Sequence, residues 1–162
     1  MNVQRIAAKA QNMTLPASAP PASLIVSMLL VEKDPLLRRT VALTARTLGI
    51  AHIHEAASQT SAFRMLAERA YHGAVIALDF GERRYAQYDF SLLDEIRTSA
   101  DPVIRDMPIA VLVDRCDALL LQELRHRQVT RVILKPFRAR TLLDTFSEFL
   151  PRQRQAGQAS AV

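Results

Sequence analysis

The sequence has one cysteine, four glycines and no tryptophan in 162 residues. A single thiol, Cys116, excludes an internal disulfide framework and a cysteine-rich zinc site, and it fits a reducing, cytoplasmic setting. Gly49, Gly73, Gly81 and Gly157 are dispersed, so no glycine-rich loop is available to cradle a phosphate chain. Nucleotide and flavin binding are not expected. His52, His54, His72 and Cys116 do not recur at metal-ligand spacing, and no histidine adjoins the cysteine to activate it. With neither a phosphate loop nor a nucleophile–base pair, the chain does not read as an enzyme. No apolar run approaches the roughly 20 residues of a membrane span.

Acid is missing from both ends. Residues 1–23 carry Arg5 and Lys9 and no carboxylate, and residues 151–162 carry Arg152 and Arg154 and none. The net charge of +5 and the pI near 10.0 therefore come from the tails, since the body holds 17 basic against 16 acidic residues. A body near neutrality lacks the electrostatic footprint of a nucleic-acid surface. Residues 1–23, with their Ala-Pro-Pro-Ala stretch, are expected to be a flexible extension, and 151–162 a flexible tail. Lys9, Gln11 and Asn12 interrupt any signal-peptide core. What lies between, residues 24–150, is the size of one ordinary domain.

Within that body, four short apolar runs stop abruptly on polar residues. Residues 28–31 stop at Glu32-Lys33-Asp34, residues 74–78 at Asp79, residues 109–113 at Asp114, and residues 132–134 at Lys135-Pro136. Continuous β-branched runs alternating with helical patterns predict a parallel sheet covered on both faces. The carboxyl ends of such strands form the site-bearing edge, here gathering Glu32, Lys33, Asp79, Val113 and Lys135. Asp34-Pro35 reads as a helix cap followed by proline at the first helical position. The first helix is expected to place Leu37, Val41, Thr44 and Leu48 on one stripe and to stop at Gly49. A short strand is expected near residues 52–54, and a second helix carrying Phe63, Leu66, Ala67 and Ala70. A polar loop with Gly81, Arg83 and Arg84 precedes a third helix with Leu92, Leu93 and Ile96. Pro108 opens the fourth strand, a leucine-rich helix runs from 117 to 127, and the last helix carries Leu142, Phe146 and Leu150. That makes five βα units. Leu119, Leu120 and Leu121 cannot all face inward on one helix, so exposed apolar surface is expected there.

The acidic start after the first strand, Leu48-Gly49-Ile50 with Glu55-Ala56-Ala57, Asp106-Met107-Pro108 and Val132-Ile133-Leu134-Lys135-Pro136-Phe137 together resemble the receiver domain of two-component response regulators. The resemblance implies a flavodoxin-like (βα)5 doubly wound parallel sheet with strand order 2-1-3-4-5. It also implies an aspartate that takes a phosphoryl group from a histidine kinase, an acidic pair that helps hold Mg²⁺, a Ser/Thr and a lysine that bind the phosphoryl group, and a reporting aromatic. Asp79 falls on the acceptor position; an alternative alignment from Tyr71 places Ala77 there. Glu32-Lys33 falls on the acidic pair, so one carboxylate has become a cation. A divalent ion about 4 Å from that ammonium is repelled by up to about 8 kcal/mol at an effective dielectric near 20. Asp34 is either a substitute ligand or the helix cap; Lys33 is either a solvated loop lysine or an ammonium paired with Asp79.

Val113 takes the Ser/Thr position without a hydroxyl, and Val132 the aromatic position. Lys135 is retained, open to a salt bridge with Asp79 or Glu32, and the resemblance implies a cis bond to Pro136. The reading is a stand-alone degenerate (pseudo-) receiver that binds proteins without phosphorylation and needs no cofactor. Its partner would be a histidine kinase, a phosphotransfer protein, another regulator or a second copy, met through Leu119, Leu120, Arg138 and Arg140. The alternative is a phospho-accepting single-domain regulator using Asp79, with Glu32, Asp34 and Asp79 holding Mg²⁺.

Overall fold

A computed structural model describes residues 26–78 and 88–150. The two tails, the loop with Gly81, Arg83 and Arg84, and Asp79 itself lie outside the described residues. Five strands, β1 (Ser27–Val31), β2 (His52–Ala56), β3 (Gly73–Ala77), β4 (Ile109–Val113) and β5 (Arg131–Leu134), alternate with helices. They form one parallel sheet in the order β2-β1-β3-β4-β5, the doubly wound arrangement expected of the flavodoxin-like fold.

The helices are α1 (Pro35–Thr47), α2 (Gln59–Glu68), α3 (Ser91–Arg97), α4 (Pro102–Arg105), α5 (Ala118–His126) and α6 (Ala139–Phe149). One more helix is therefore present than five βα units require. It is the single turn α4, which Asp101 starts by accepting the Val103 N–H and which Pro102 pre-forms.

Both faces of the sheet are covered, which is why the strands read as continuous apolar runs. Leu29, Val31, Ala74, Ile76, Ile109, Val111 and Val113 point toward α2, α3 and α5. Met28, Leu30, Val75, Ala77, Ala110, Leu112 and Ile133 point toward α1 and α6. Ala77 thus belongs to the core on the α1 side, and it is Leu78, buried beyond the strand, whose N–H still reaches Leu112 O.

Local chemistry places the helices. The Asp34 carboxylate accepts the N–H groups of Leu36 (2.8 Å) and Leu37 (3.2 Å), with Pro35 first in the helix. Such a cap contributes about 1 kcal/mol. Asp117 caps α5 through the Leu120 N–H, and Ser58 with Ser61 forms a reciprocal capping box on α2. Gly49, at φ +65°, ends α1 while its own N–H and that of Ile50 return to Arg46 O and Ala45 O.

Three stripes differ from expectation. Leu48 is exposed and Ala45 completes the buried line of α1. On α2, Ala62 and Leu66 face the core, whereas Ala67 is exposed and Ala70 lies past the helix end. Leu150 caps α6, and Phe149 is the buried residue there.

At the end of the sheet opposite the carboxyl rim, one guanidinium ties three connections together. Arg97 donates to Arg127 O, Arg105 O, Met107 O and Gln128 O at 2.6–3.0 Å. Burial pushes its pKa down from the usual arginine value, and four carbonyl acceptors stand in for the lost water.

Edge strand β2 brings His52 and His54 together, rings 4.6 Å apart, with His54 against Tyr71 and the Arg69 guanidinium 3.2 Å from His54 Nδ1. The histidines converge more than their sequence spacing suggested. Among the described residues, however, no three metal-ligating groups cluster.

Two predictions follow from packing and charge. A Cβ on Gly73 would lie 2.7 Å from Phe149 Cδ2 and 3.2 Å from its Cβ, so Gly73→Ala should cost about 1–3 kcal/mol in urea unfolding. Desolvation, then Arg69 and His52, lowers the His54 pKa from 6.5. The unfolded chain therefore binds the proton more readily than the folded one. The stability contributed by neutral His54 is complete above 6.5 and is lost as the pH falls from 6.5 through the folded value. His54→Gln should flatten that part of the pH–stability curve, read as the urea midpoint at successive pH values.

Candidate functional site at the carboxyl rim

Parallel register brings the strand ends level. Val31 stands beside Ala56 and Ile76, Ala77 beside Leu112, and Val113 beside Leu134. The residue following β1 is Glu32, whose N–H donates to Ala56 O at 3.1 Å, so it continues the strand line and sinks its side chain to 1 % exposure. Glu32 Oε1 accepts the Asp34 N–H at 3.1 Å, and Oε2 lies 3.0 Å from Lys135 Nζ. That ammonium approaches outside hydrogen-bonding angles, so Oε2 is charge-paired without being a hydrogen-bond acceptor. The Glu32 carbonyl accepts Arg38 Nη1, and the same guanidinium sits 3.6 Å from Glu55.

Lys135 is held by its backbone as well. Its N–H donates to Val113 O at 2.9 Å, and its bond to Pro136 is cis. Val113 is fully buried and packs in the core shared with α2, α3 and α5, while half-buried Val132 packs against that core. The rim thus has hydrocarbon at Val113, the position to which the resemblance gives a hydroxyl. Tyr88 Oη donates to Arg115 O at 2.9 Å, linking the segment before α3 to the loop after β4.

The described residues do not compose a divalent-metal site. Such ions need several oxygen ligands. Here Glu32 is the one buried carboxylate and already faces an ammonium; Asp34 is turned to its cap. Lys33 is exposed and makes no ion pair with any described residue; its alternative partner, Asp79, lies outside that set.

The expected contact face needs one correction. Leu120 is buried at 6 % and belongs to the core, whereas Leu119 (74 %) and Leu121 (37 %) are exposed. Successive helical residues are 100° apart, so the middle leucine points inward and its neighbours flank it. Leu134 on β5 is 53 % exposed. Arg138 is exposed, and Arg140 lies 3.8 Å from Asp144 on the surface of α6. Sequence reasoning passed over Arg38, Tyr88 and Leu134. The first had a signal, a basic residue one turn into the helix after a carboxylate, and the other two had none.

No family model matches the chain, and no curated protein matches it. Solved structures do. The chemotaxis response regulator CheY4 of Vibrio cholerae is 20 % identical, with a TM-score of 0.65 over 78 % of this chain and 99 % of that one. A CheY-like response regulator receiver domain protein from Methanospirillum hungatei JF-1 is 14 % identical, with a TM-score of 0.64 over 76 % and 92 %. The signal receiver domain of an HD domain-containing protein from Pseudomonas fluorescens Pf-5 is 19 % identical, with a TM-score of 0.63 over 77 % and 94 %. The chain has the receiver-domain fold.

Removing Lys135 leaves the buried Glu32 carboxylate without its closest cation. Lys135→Met should therefore destabilise by about 3 kcal/mol. Adding Glu32→Gln should recover part of that loss, with a coupling of about 1–3 kcal/mol in a double-mutant urea cycle.

Proposed function

We propose that the chain is a degenerate receiver that acts as a phosphorylation-independent protein-interaction module in bacterial two-component-type signalling. The observation that carries this reading is the Glu32–Lys135 contact beside a buried Val113. In a competent receiver the carboxylate would face a metal ion, the lysine a phosphoryl oxygen, and the residue at Val113 would supply a hydroxyl. Here carboxylate and lysine face each other, which lowers the energy of the resting arrangement and opposes both ligands. Val132 supplies no aromatic ring to report a change at the rim.

Output then comes from a fixed surface. Leu119, Leu121 and Leu134 are exposed apolar side chains and Arg138 an exposed cation, and through these a histidine kinase, a phosphotransfer protein, another regulator or a second copy would bind. The protein is not an enzyme in this reading, requires no cofactor, and works in the cytoplasm.

The retained Lys135 favours a second reading. In it Asp79 accepts a phosphoryl group with Mg²⁺ present. Intact-mass measurement after incubation with acetyl phosphate and Mg²⁺ separates the two. The expected result is no phosphoryl adduct on folded protein. An adduct that disappears in Asp79→Asn, formed by transfer of the phosphoryl group to the carboxylate with release of acetate, would overturn the proposal.

A further inference from the structure

Between α2 and the turn from α3 into α4 the surface keeps an open, largely apolar groove of about 650 Å³. Phe63, Leu66 and Ala67 line it from α2, and Ile96 and Ile104 from the other side, with residues 98–100 in the turn. The second wall is built from short pieces, seven residues of α3 and four of α4. Leu66 and Ile96 still reach the core, but Phe63 and Ile104 are left half-buried and Ala67 exposed. One carboxylate, Glu95, borders this hydrocarbon; it is exposed, and no described residue forms an ion pair with it. Arg64 is turned about 100° from Phe63 and so lies toward the outer side of α2.

The chain itself carries a segment that matches. Val3, Ile6, Ala10 and Met13 follow one another at intervals of three, four and three residues, the spacing that gathers side chains on one side of a helix. Arg5 and Lys9, four apart, fall together beside that line, and residues 1–23 hold no acid. The segment is thus apolar along one side and cationic along its border, the complement of a groove bordered by Glu95.

Reach is not a constraint. The described chain begins at Val26, just before β1, at the amino end of the sheet. α2 and α3 run back toward that same end, so residues 98–104 of the groove lie there as well. Residues 14–25 extend to at most about 40 Å, enough to pass from β1 to the helical layer. Tethering also relaxes the affinity required. A short linker holds its cargo at an effective concentration of about a millimolar, so even a weak groove is filled.

Other occupants fit less well. Residues 151–162 follow α6, which packs on the opposite face, and Val162 is their one large apolar side chain after Pro151. A second copy would have to bring a different surface to the groove, and a head-to-tail contact of that kind propagates rather than closes.

We propose that residues 3–13 dock in the groove between α2 and α3–α4 of their own chain, apolar line inward and Arg5 and Lys9 toward Glu95. A segment this short and polar orders on contact rather than alone. Docked, it covers Phe63 and Ile104 and closes the groove to other apolar partners. α3 stands between the groove and α5, so Leu119 and Leu121 remain open. The docking uses no residue of the rim and holds whether or not Asp79 accepts a phosphoryl group.

The test is paramagnetic broadening in the full chain, ¹⁵N-labelled, with a nitroxide on Asn12→Cys and the native thiol removed by Cys116→Ser. Broadening is expected at the amides of residues 63–67 and 95–104 and should fade as salt is raised. Ile6→Ser combined with Met13→Ser should abolish it. Glu95→Lys should weaken it roughly two- to fivefold, the range for an exposed ion pair. A free peptide of residues 1–15 should displace the tethered segment only at about millimolar concentration. Broadening spread evenly over the body, or centred on α1 or α5, would overturn the proposal. So would broadening of ¹⁵N protein without nitroxide when mixed with nitroxide-bearing protein at natural isotope abundance, because the occupant would then be a second copy.

Discussion

A carboxylate carried beneath the end of the first strand has to be neutralised, and much of the rim follows from how that is done. Ionised Glu32 at 1 % exposure would cost several kcal/mol in desolvation if left alone. Its oxygens instead meet the Asp34 N–H and the Lys135 ammonium, and its carbonyl meets Arg38. Each partner has a second task. Asp34 starts α1, Lys135 joins β5 to β4 through Val113 O, and Arg38 reaches the end of β2 at Glu55. One buried residue, through its carboxylate and its backbone carbonyl, thus couples the first helix, the edge strand and the far strand.

The same arrangement bears on what the rim can bind. A divalent cation would have to displace an ammonium from a buried oxygen, and it would find no second inward carboxylate among the described residues. Val113 compounds this by presenting methyl groups in a sealed core. A valine there also leaves no buried hydroxyl in need of a partner.

A receiver fold leaves surface to spare, and this chain places leucine on it in two places. On α5 and β5 the exposed leucines sit among paired charges; on α1 they sit beside arginines that have no carboxylate among the described residues. Hydrocarbon in both places is exposed to water, and the charge around it differs between the two.

Local chemistry along the chain was enough to place most elements. Apolar runs closed by polar residues marked the strand ends, and Asp34-Pro35 and Asp117 marked helix starts, because a strand buried on both faces and a capped helix each need those residues whatever surrounds them. The strand order was legible only through resemblance. Periodicity showed which helical residues share a side, but not which side another element would cover. Leu48, Ala67 and Leu120 therefore fell on the wrong side of the expectation, and Leu36 and Leu43 attracted no notice. The pairing of Glu32 with Lys135 was one of two options in the sequence. That contact belongs to the tertiary structure, because the parallel register sets Glu32 and Lys135, 103 positions apart, within 3.0 Å, and contact at that separation depends on how the whole sheet is assembled rather than on any stretch of the chain.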